Sequence, residues 1–168
     1  KTLQINALGR TVSVNNAVWL QEGYKLSPAY LKTVEANYGS ALKYVDYKGD
    51  PTAARNTINR WVESKTNDKI KNLLTPDDIN PFTRNILVNT VYFKADWLKT
   101  FDEKETQPGK FRKDSGPAVM LPLMKQQDDF KYAELNGTKI LSMPYRGRKT
   151  EMVVLLPKRK RLAKLEQQ

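Results

Sequence analysis

Two kinds of residue cluster in this chain have the types and spacing to do chemistry, acidic pairs and a basic run. The acidic pairs are Asp77-Asp78 and Asp128-Asp129. General acid–base work needs two carboxyl groups converging on one substrate. These are neighbours in sequence and fall in predicted turns, so they read as solvated rather than catalytic. The sequence has no Cys and no His, which excludes the common zinc sites and Cys- or His-based catalysis within this chain. Nothing resembles a phosphate-binding glycine loop or an activated Ser, so neither enzymatic turnover nor a cofactor or metal is expected. The basic run is Lys158-Arg159-Lys160-Arg161, with Arg146, Arg148 and Lys149 nearby in sequence on a predicted hairpin turn. Together they are candidates for binding a polyanion such as heparin or another glycosaminoglycan. A solvated loop, a nuclear-localisation signal or a processing site are other readings of the same run. Asn136-Gly137-Thr138 is an N-glycosylation sequon in a predicted exposed turn, usable if the protein is secreted.

The charge balance widens the polyanion reading. Lys and Arg number 29 against 18 Asp and Glu, a net charge of +11 over 168 residues. Such a surface attracts glycosaminoglycans, nucleic acid or acidic membranes. No nucleic-acid motif accompanies the charge, and Tyr and Trp fall on predicted core faces, so sequence-specific DNA or RNA binding is not expected. No apolar run approaches the roughly 20 residues of a membrane helix. A hydrophobic content of 39% with 10% aromatics suits a globular chain long enough to bury one good core. The lack of Cys leaves the redox compartment open. No signal peptide opens at Lys1, so the numbering begins after processing or within a longer protein.

The elements that must position these groups follow from periodicity. Residues 1–10 are short and mixed, with Gly9 in a turn. Thr11–Gln21 reads as a strand in which Val12, Val14, Asn16, Val18 and Leu20 share one face. Ser27-Pro28 and Asp50-Pro51 are helix starts, a capping side chain followed by Pro at the first helical position. Leu31, Val34 and Tyr38 give the first helix its spacing, and Gly39 can close it. Ala41–Tyr47 alternates as a strand. Ala54, Ile58, Trp61 and Val62 form the stripe of a second helix lying across a sheet face. Turn chemistry at Thr75-Pro76-Asp77-Asp78 and Asn80-Pro81 leads into Arg84–Trp97, the strand on which the chain is organised. Its two faces, Ile86, Val88, Thr90 and Tyr92 against Leu87, Asn89, Val91, Phe93 and Trp97, are both largely apolar, predicting cover on both sides. Asn89 within such a face needs a specific hydrogen-bond partner, since a buried amide without one costs roughly 1–3 kcal/mol. After a turn at Asp102–Gly109, strands are predicted at Lys110–Lys113, Ala118–Met124, Phe130–Glu134, Thr138–Tyr145 and Thr150–Leu156. The last two form a hairpin around Gly147, and Arg161–Gln168 begins a helix. The pattern is α+β in a single domain, with no linker dividing it.

Within that pattern, Asn89-Thr-Val-Tyr92-Phe93-Lys94-Ala-Asp-Trp97, followed by Phe101, resembles the third strand of the large central sheet of serpins, Asn-x-x-Tyr-Phe-Lys-x-x-Trp. The segment Ile58-Asn59-Arg-Trp61-Val62-Glu63-x-x-Thr66-Asn67-x-Lys69-Ile70 is similar to the serpin helix that crosses that sheet. Asn16 matches an Asn of the second strand, whereas Asn15 departs from the small residue that the family places beside it. The resemblance implies a partial serpin fold over residues 1–168, with Thr11–Gln21, Ala41–Tyr47 and Arg84–Trp97 in sheet A. It assigns Lys110–Met124 to sheet C and the hairpin, with the strand before it, to sheet B.

Serpins inhibit serine proteases by a metastable trap. A reactive loop is cleaved, forms an acyl-enzyme and inserts into sheet A as a new strand, and the release of stored free energy distorts the protease. On this resemblance Asn89 and Trp97 control the opening of the sheet and are not catalytic. The helices preceding Lys1, the fifth strand of sheet A, the reactive loop and the C-terminal strands are outside this sequence, so the scissile bond is not in this chain. The expected object is a fragment, a partly resolved chain or one piece of a split molecule. The resemblance implies as partners a target protease, engaged through the missing loop, the remaining half of the serpin and, as in several family members, a sulfated polysaccharide. It implies secretion, with an intracellular location as alternative, and leaves open a non-inhibitory serpin.

Overall fold

The computed structural model describes residues 3–7, 9–38, 42–113, 115–158 and 162–167. They form two compact units, Lys1–Lys94 and Ala95–Gln168.

The first unit is a sheet crossed by a helix. Strand β1 is Leu3–Ala7, β2 Arg10–Gln21, β3 Leu42–Val45 and β4 Asn85–Ala95. Strand β2 is the hub. Antiparallel β1 and parallel β3 pair with its beginning and end, Leu3 opposite Val14 and Leu42 opposite Val18, and β4 also pairs with β2. The Gln21 amide donates to the Arg84 carbonyl at 2.9 Å. Asn16 meets Asn89 and Asn15 meets Thr90. Numbering thus rises along β2 as it falls along β4, so the pair is antiparallel. Residues 1–10, read from the sequence as short and mixed, contribute β1. Its Leu, Ile and Ala alternate with polar residues, but five residues are too few for the pattern to stand out.

Helix α1 is Pro28–Tyr38, with the Tyr30 amide donating to Ser27 Oγ at 3.2 Å. The expected stop at Gly39 and the strand start at Ala41 lie outside the described residues. Helix α2 is Pro51–Lys65, capped by Asp50 Oδ1 accepting from the Ala53 amide at 2.8 Å. Its Ala54, Ile58 and Val62 are buried with Ala17, Trp19, Val45, Tyr47, Ile79 and Val88, and this cluster is the core of the unit. Each fully buried Ile or Val stabilises by about 1.5–3 kcal/mol relative to exposure. Trp61 packs on that core from its edge, its ring edge-to-face with Trp19 at 6.0 Å and 81°. Lys43 Nζ lies 5.5 Å from the Trp19 ring centre.

On β2 the row Ser13, Asn15, Ala17 and Trp19 is buried, while on the face shared by Val12, Val14, Asn16, Val18 and Leu20 only Leu20 is, the others being half-buried. One sequence expectation is corrected. On β4 the faces differ sharply. Val88 and Thr90 are buried, while Leu87, Val91 and Phe93 are 72%, 58% and 44% exposed. Apolar composition predicted cover on both faces, and among the described residues only one face has it.

The second unit has two small sheets. Strands β5 (Gln107–Phe111) and β6 (Val119–Leu123) pair antiparallel, so the expected strand at Lys110–Lys113 begins earlier than the sequence suggested. Pro108 and Gly109 mark turns in a sequence, yet at a sheet edge Pro lacks only an amide that the ladder does not need. Strands β7 (Lys131–Leu135), β8 (Thr138–Pro144) and β9 (Glu151–Pro157) form an antiparallel meander. Asn136 and Gly137, with φ of 52° and 75°, make the two-residue turn between β7 and β8. Both central positions need the left-handed region, which Asn tolerates and Gly adopts freely. Helix α3 is Leu162–Glu166.

Candidate functional site

The β2–β4 junction is where polar side chains gather. Asn89 Nδ2 donates to Asn16 Oδ1 at 2.9 Å and to the Asn15 carbonyl at 3.3 Å. The partner demanded by the sequence argument is therefore present, although Asn89 is exposed rather than buried. On the opposite face, Asn15 Nδ2 donates to Ser13 Oγ at 2.9 Å and to Thr90 Oγ1 at 3.2 Å. Asn15, Ser13 and Thr90 are all buried, and Asn15 Oδ1 has no hydrogen-bond partner among the described residues. Adjacent Asn residues on a strand point to opposite faces, and the chain uses both. Sequence reasoning singled out Asn89 and noted Asn16, but it treated Asn15 only as a departure. The missed signal was Thr90, whose hydroxyl lies in the buried row opposite.

Beyond β4, Trp97 belongs to an aromatic stack. Its ring lies 4.6 Å from Tyr145 at an interplanar angle of 15°, with Phe101 edge-on at 6.0 Å and 74°. Backbone bonds reinforce the stack, from the Leu98 amide to the Pro144 carbonyl at 3.0 Å and from the Arg146 amide to the Asp96 carbonyl at 2.8 Å. Trp97 is thus tied to the end of β8. Beside it is a cleft of about 390 Å³ whose lining includes Trp97, Lys99, Asp128, Phe130, Met143 and Arg148. Lys99 and Asp128 pair across 3.6 Å. Of the Asp77-Asp78 pair, Asp78 is occupied structurally, its Oδ2 accepting from the Thr75 amide and hydroxyl, each at 2.7 Å.

The motif residues of α2 position a loop. Asn59 Nδ2 donates to the Leu74 carbonyl and the Leu74 amide donates to Asn59 Oδ1, both at 2.9 Å. Thr66 Oγ1 donates to the Val62 carbonyl at 2.8 Å and accepts from the Ile70 amide at 3.2 Å. These two side chains fix the path of the chain after α2, as it turns back toward β4.

The basic candidates are not brought together. Pro144 pairs with Glu151 and Thr138 with Pro157, so Arg146, Arg148 and Lys149 occupy one end of the β8–β9 hairpin and Lys158 the other. Seven-residue strands separate the two ends by roughly 23 Å. Arg146 faces Asp96 at 3.8 Å, while Arg148 and Lys149 are exposed. Lys158 stands over the Asn136-Gly137 turn, where a Cβ on Gly137 would meet Lys158 Cε at 2.8 Å. Asn136 is exposed at that turn. Arg159, Lys160 and Arg161 lie outside the described residues.

Comparison with known proteins gives this arrangement a family. The family described as serpin (serine protease inhibitor) matches residues 1–168. An uncharacterized serpin-like protein of Methanosarcina acetivorans is 38% identical over 151 residues, 90% of this chain and 36% of that protein. Antithrombin-III of Mus musculus is 37% identical over 155 residues, 91% of this chain and 33% of that protein. Ovalbumin from emu (Dromaius novaehollandiae) superposes with a TM-score of 0.84 at 34% identity, over 96% of this chain and 42% of that one. The chain therefore spans less than half the length of the relatives it matches. In the serpin frame β1–β4 belong to sheet A, β7–β9 to sheet B and β5–β6 to sheet C. With the match running from the first residue to the last, this chain belongs to the serpin family.

Proposed function

We propose that this segment supplies the receiving edge of a serine protease inhibitor that works by strand insertion. The observation that carries the reading is β4. Among the described residues it pairs with β2 and with no other strand. An unpaired strand edge is a template for a further strand, and adding one releases free energy. Asn89, bonded to Asn16, lies midway along β4, and Trp97, stacked on Tyr145, follows the strand in sequence. They act as conformational-control residues, and no residue of this segment performs turnover chemistry. The partner is a serine protease, engaged through a loop outside this sequence.

The test is to incubate the whole protein that carries this segment with a panel of serine proteases. A covalent complex that survives SDS, with a higher melting temperature after loop cleavage, is the expected result. Cleavage without a complex and without a rise in melting temperature would assign the protein to the non-inhibitory serpins.

A second reading rests on charge. With a net charge of +11 and exposed Arg148 and Lys149 at one hairpin end and Lys158 at the other, the β8–β9 hairpin suits a long anionic polysaccharide lying along it. Such binding, together with use of the Asn136 sequon, would fit a secreted glycoprotein. Retention on heparin should fall steeply as salt rises. Neutralising Arg146, Arg148 and Lys149 should weaken it independently of neutralising Lys158, Arg159, Lys160 and Arg161. Unchanged retention in both variants would remove this hairpin from the reading.

A further inference from the structure

The β2–β4 junction is bonded through side chains on both faces of the sheet at consecutive positions. Asn16 meets Asn89 on one face, and Asn15 meets Thr90 on the other. A cross-strand bond on one face alone leaves a strand free to roll about that bond. Bonds on both faces remove this freedom, because rolling in either direction stretches one of them. Asn15 is an unusual residue for the second bond. It is 2% exposed and lies on the same face as Ala17 and Trp19, which pack in the core with α2. Its Oδ1 has no partner among the described residues. A small apolar residue there would remove the unsatisfied Oδ1, at the cost of the amide that the buried Ser13 and Thr90 hydroxyls accept from. A buried amide that is only half satisfied is a cost that needs a reason.

We propose that Asn15 is a positioning residue that, through Thr90, clamps β4 to β2 so that the two strands move as one piece and the sheet opens only at the free edge of β4. The purpose rests on the strand-insertion reading above, but the clamp itself does not. Strand β2 pairs with β1, β3 and β4. An incoming strand exerts its pull through β4, and the β2–β4 ladder is the next line along which the sheet can split. Ser13 Oγ holds the Asn15 amide in the orientation that reaches Thr90. Ser13 and Asn15 thus form a two-residue device on β2, and Thr90 is its receiver on β4.

The test is native-state amide hydrogen exchange on this protein and on the Asn15→Ala, Thr90→Val and double variants, read segment by segment beside the melting temperature. The clamp predicts that Asn15→Ala speeds exchange in residues 85–95 by about fivefold to tenfold. Exchange in β3 and in the β7–β9 sheet should change much less. Thr90→Val should reproduce the effect and the double variant should add little to either, because all three lose the same bond. Acceleration that is uniform across the protein and tracks the melting temperature would make Asn15 an ordinary core residue. Unchanged exchange in β4 would overturn the clamp outright. Neither result bears on whether a protease complex forms, so failure of the clamp and failure of the inhibitor reading are separable.

Discussion

Single side chains in the first unit tie its stability to pH at both extremes. Tyr47 is fully buried and its hydroxyl donates to the Trp19 carbonyl at 3.2 Å. Burial pushes the phenol up to about 12, from its ordinary value of 10.0. The folded state therefore holds this proton more tightly than the unfolded chain does. Its contribution is complete below the unfolded value and is lost as pH rises toward the folded one. Thermal melts followed from neutral to strongly alkaline pH should show this loss, and Tyr47→Phe should flatten it while costing about 1 kcal/mol at neutral pH. Asp46 works in the opposite sense. Its Oδ1 accepts from Gln21 Nε2 at 2.9 Å, the Gly49 amide at 2.9 Å and the Lys48 amide at 3.1 Å. The bond from Gln21, followed by that from Gly49, holds its carboxyl below the usual carboxylate range. The contribution is present above the unfolded value of a carboxylate and disappears as pH falls through the lower folded value. Asp46→Ala should lower the melting temperature at neutral pH and reduce the slope of its acid decline; an unchanged slope would mean that these hydrogen bonds to Asp46 add nothing to folding.

Among the elements, α2 and the loop after it are the best-specified part of the chain. The capping Asp50, the stripe of Ala54, Ile58 and Val62, and the turn residues at Thr75-Pro76 all announce themselves by type and spacing. Asn59 is different, since a polar residue beside a core stripe says only that a partner is needed. The partner, Leu74, lies 15 residues away in a loop that no local pattern fixes. Asn59→Ala would leave the half-buried Leu74 bonds unmade and should cost about 1 kcal/mol, read as a lower denaturant midpoint with an unchanged slope. The same division holds elsewhere. Helix starts and the strands β2, β4, β6, β7, β8 and β9 were legible because each carries its own periodicity or turn residues. Strand β1 and the early start of β5 were not, because an edge strand is defined by the neighbour that it pairs with. Asn89 and Trp97 could be singled out by motif. Asn15, Thr90 and Tyr145 could not, because their importance lies in contacts that span from 48 to 75 positions of sequence. The apolar faces of β4 gave a strand correctly but did not reveal which of them this chain covers.

For the whole molecule, exposed apolar surface sets the behaviour of the isolated chain. Leu87, Val91 and Phe93 on β4, and Met152, Val153, Val154, Leu155 and Leu156 on β9, are all at least 42% exposed. Exposed apolar side chains in such number favour association. In sedimentation experiments the chain alone should associate with itself, and Val91→Lys and Val154→Lys should each reduce that association without lowering the melting temperature. Positive charge opposes the same association, so added salt should promote it. The aromatic contacts carry a separate consequence, an optical one. Of the three tryptophans, Trp19 and Trp61 sit edge-to-face in the first unit and Trp97 lies against Tyr145 in the second. Each unit therefore emits through its own indole environment. Because Trp19 is on β2 and Trp61 on α2, the two indoles sense each other only while the helix rests on the sheet. Their shared excitation makes the protein its own gauge of helix lifting, readable by light without an attached dye.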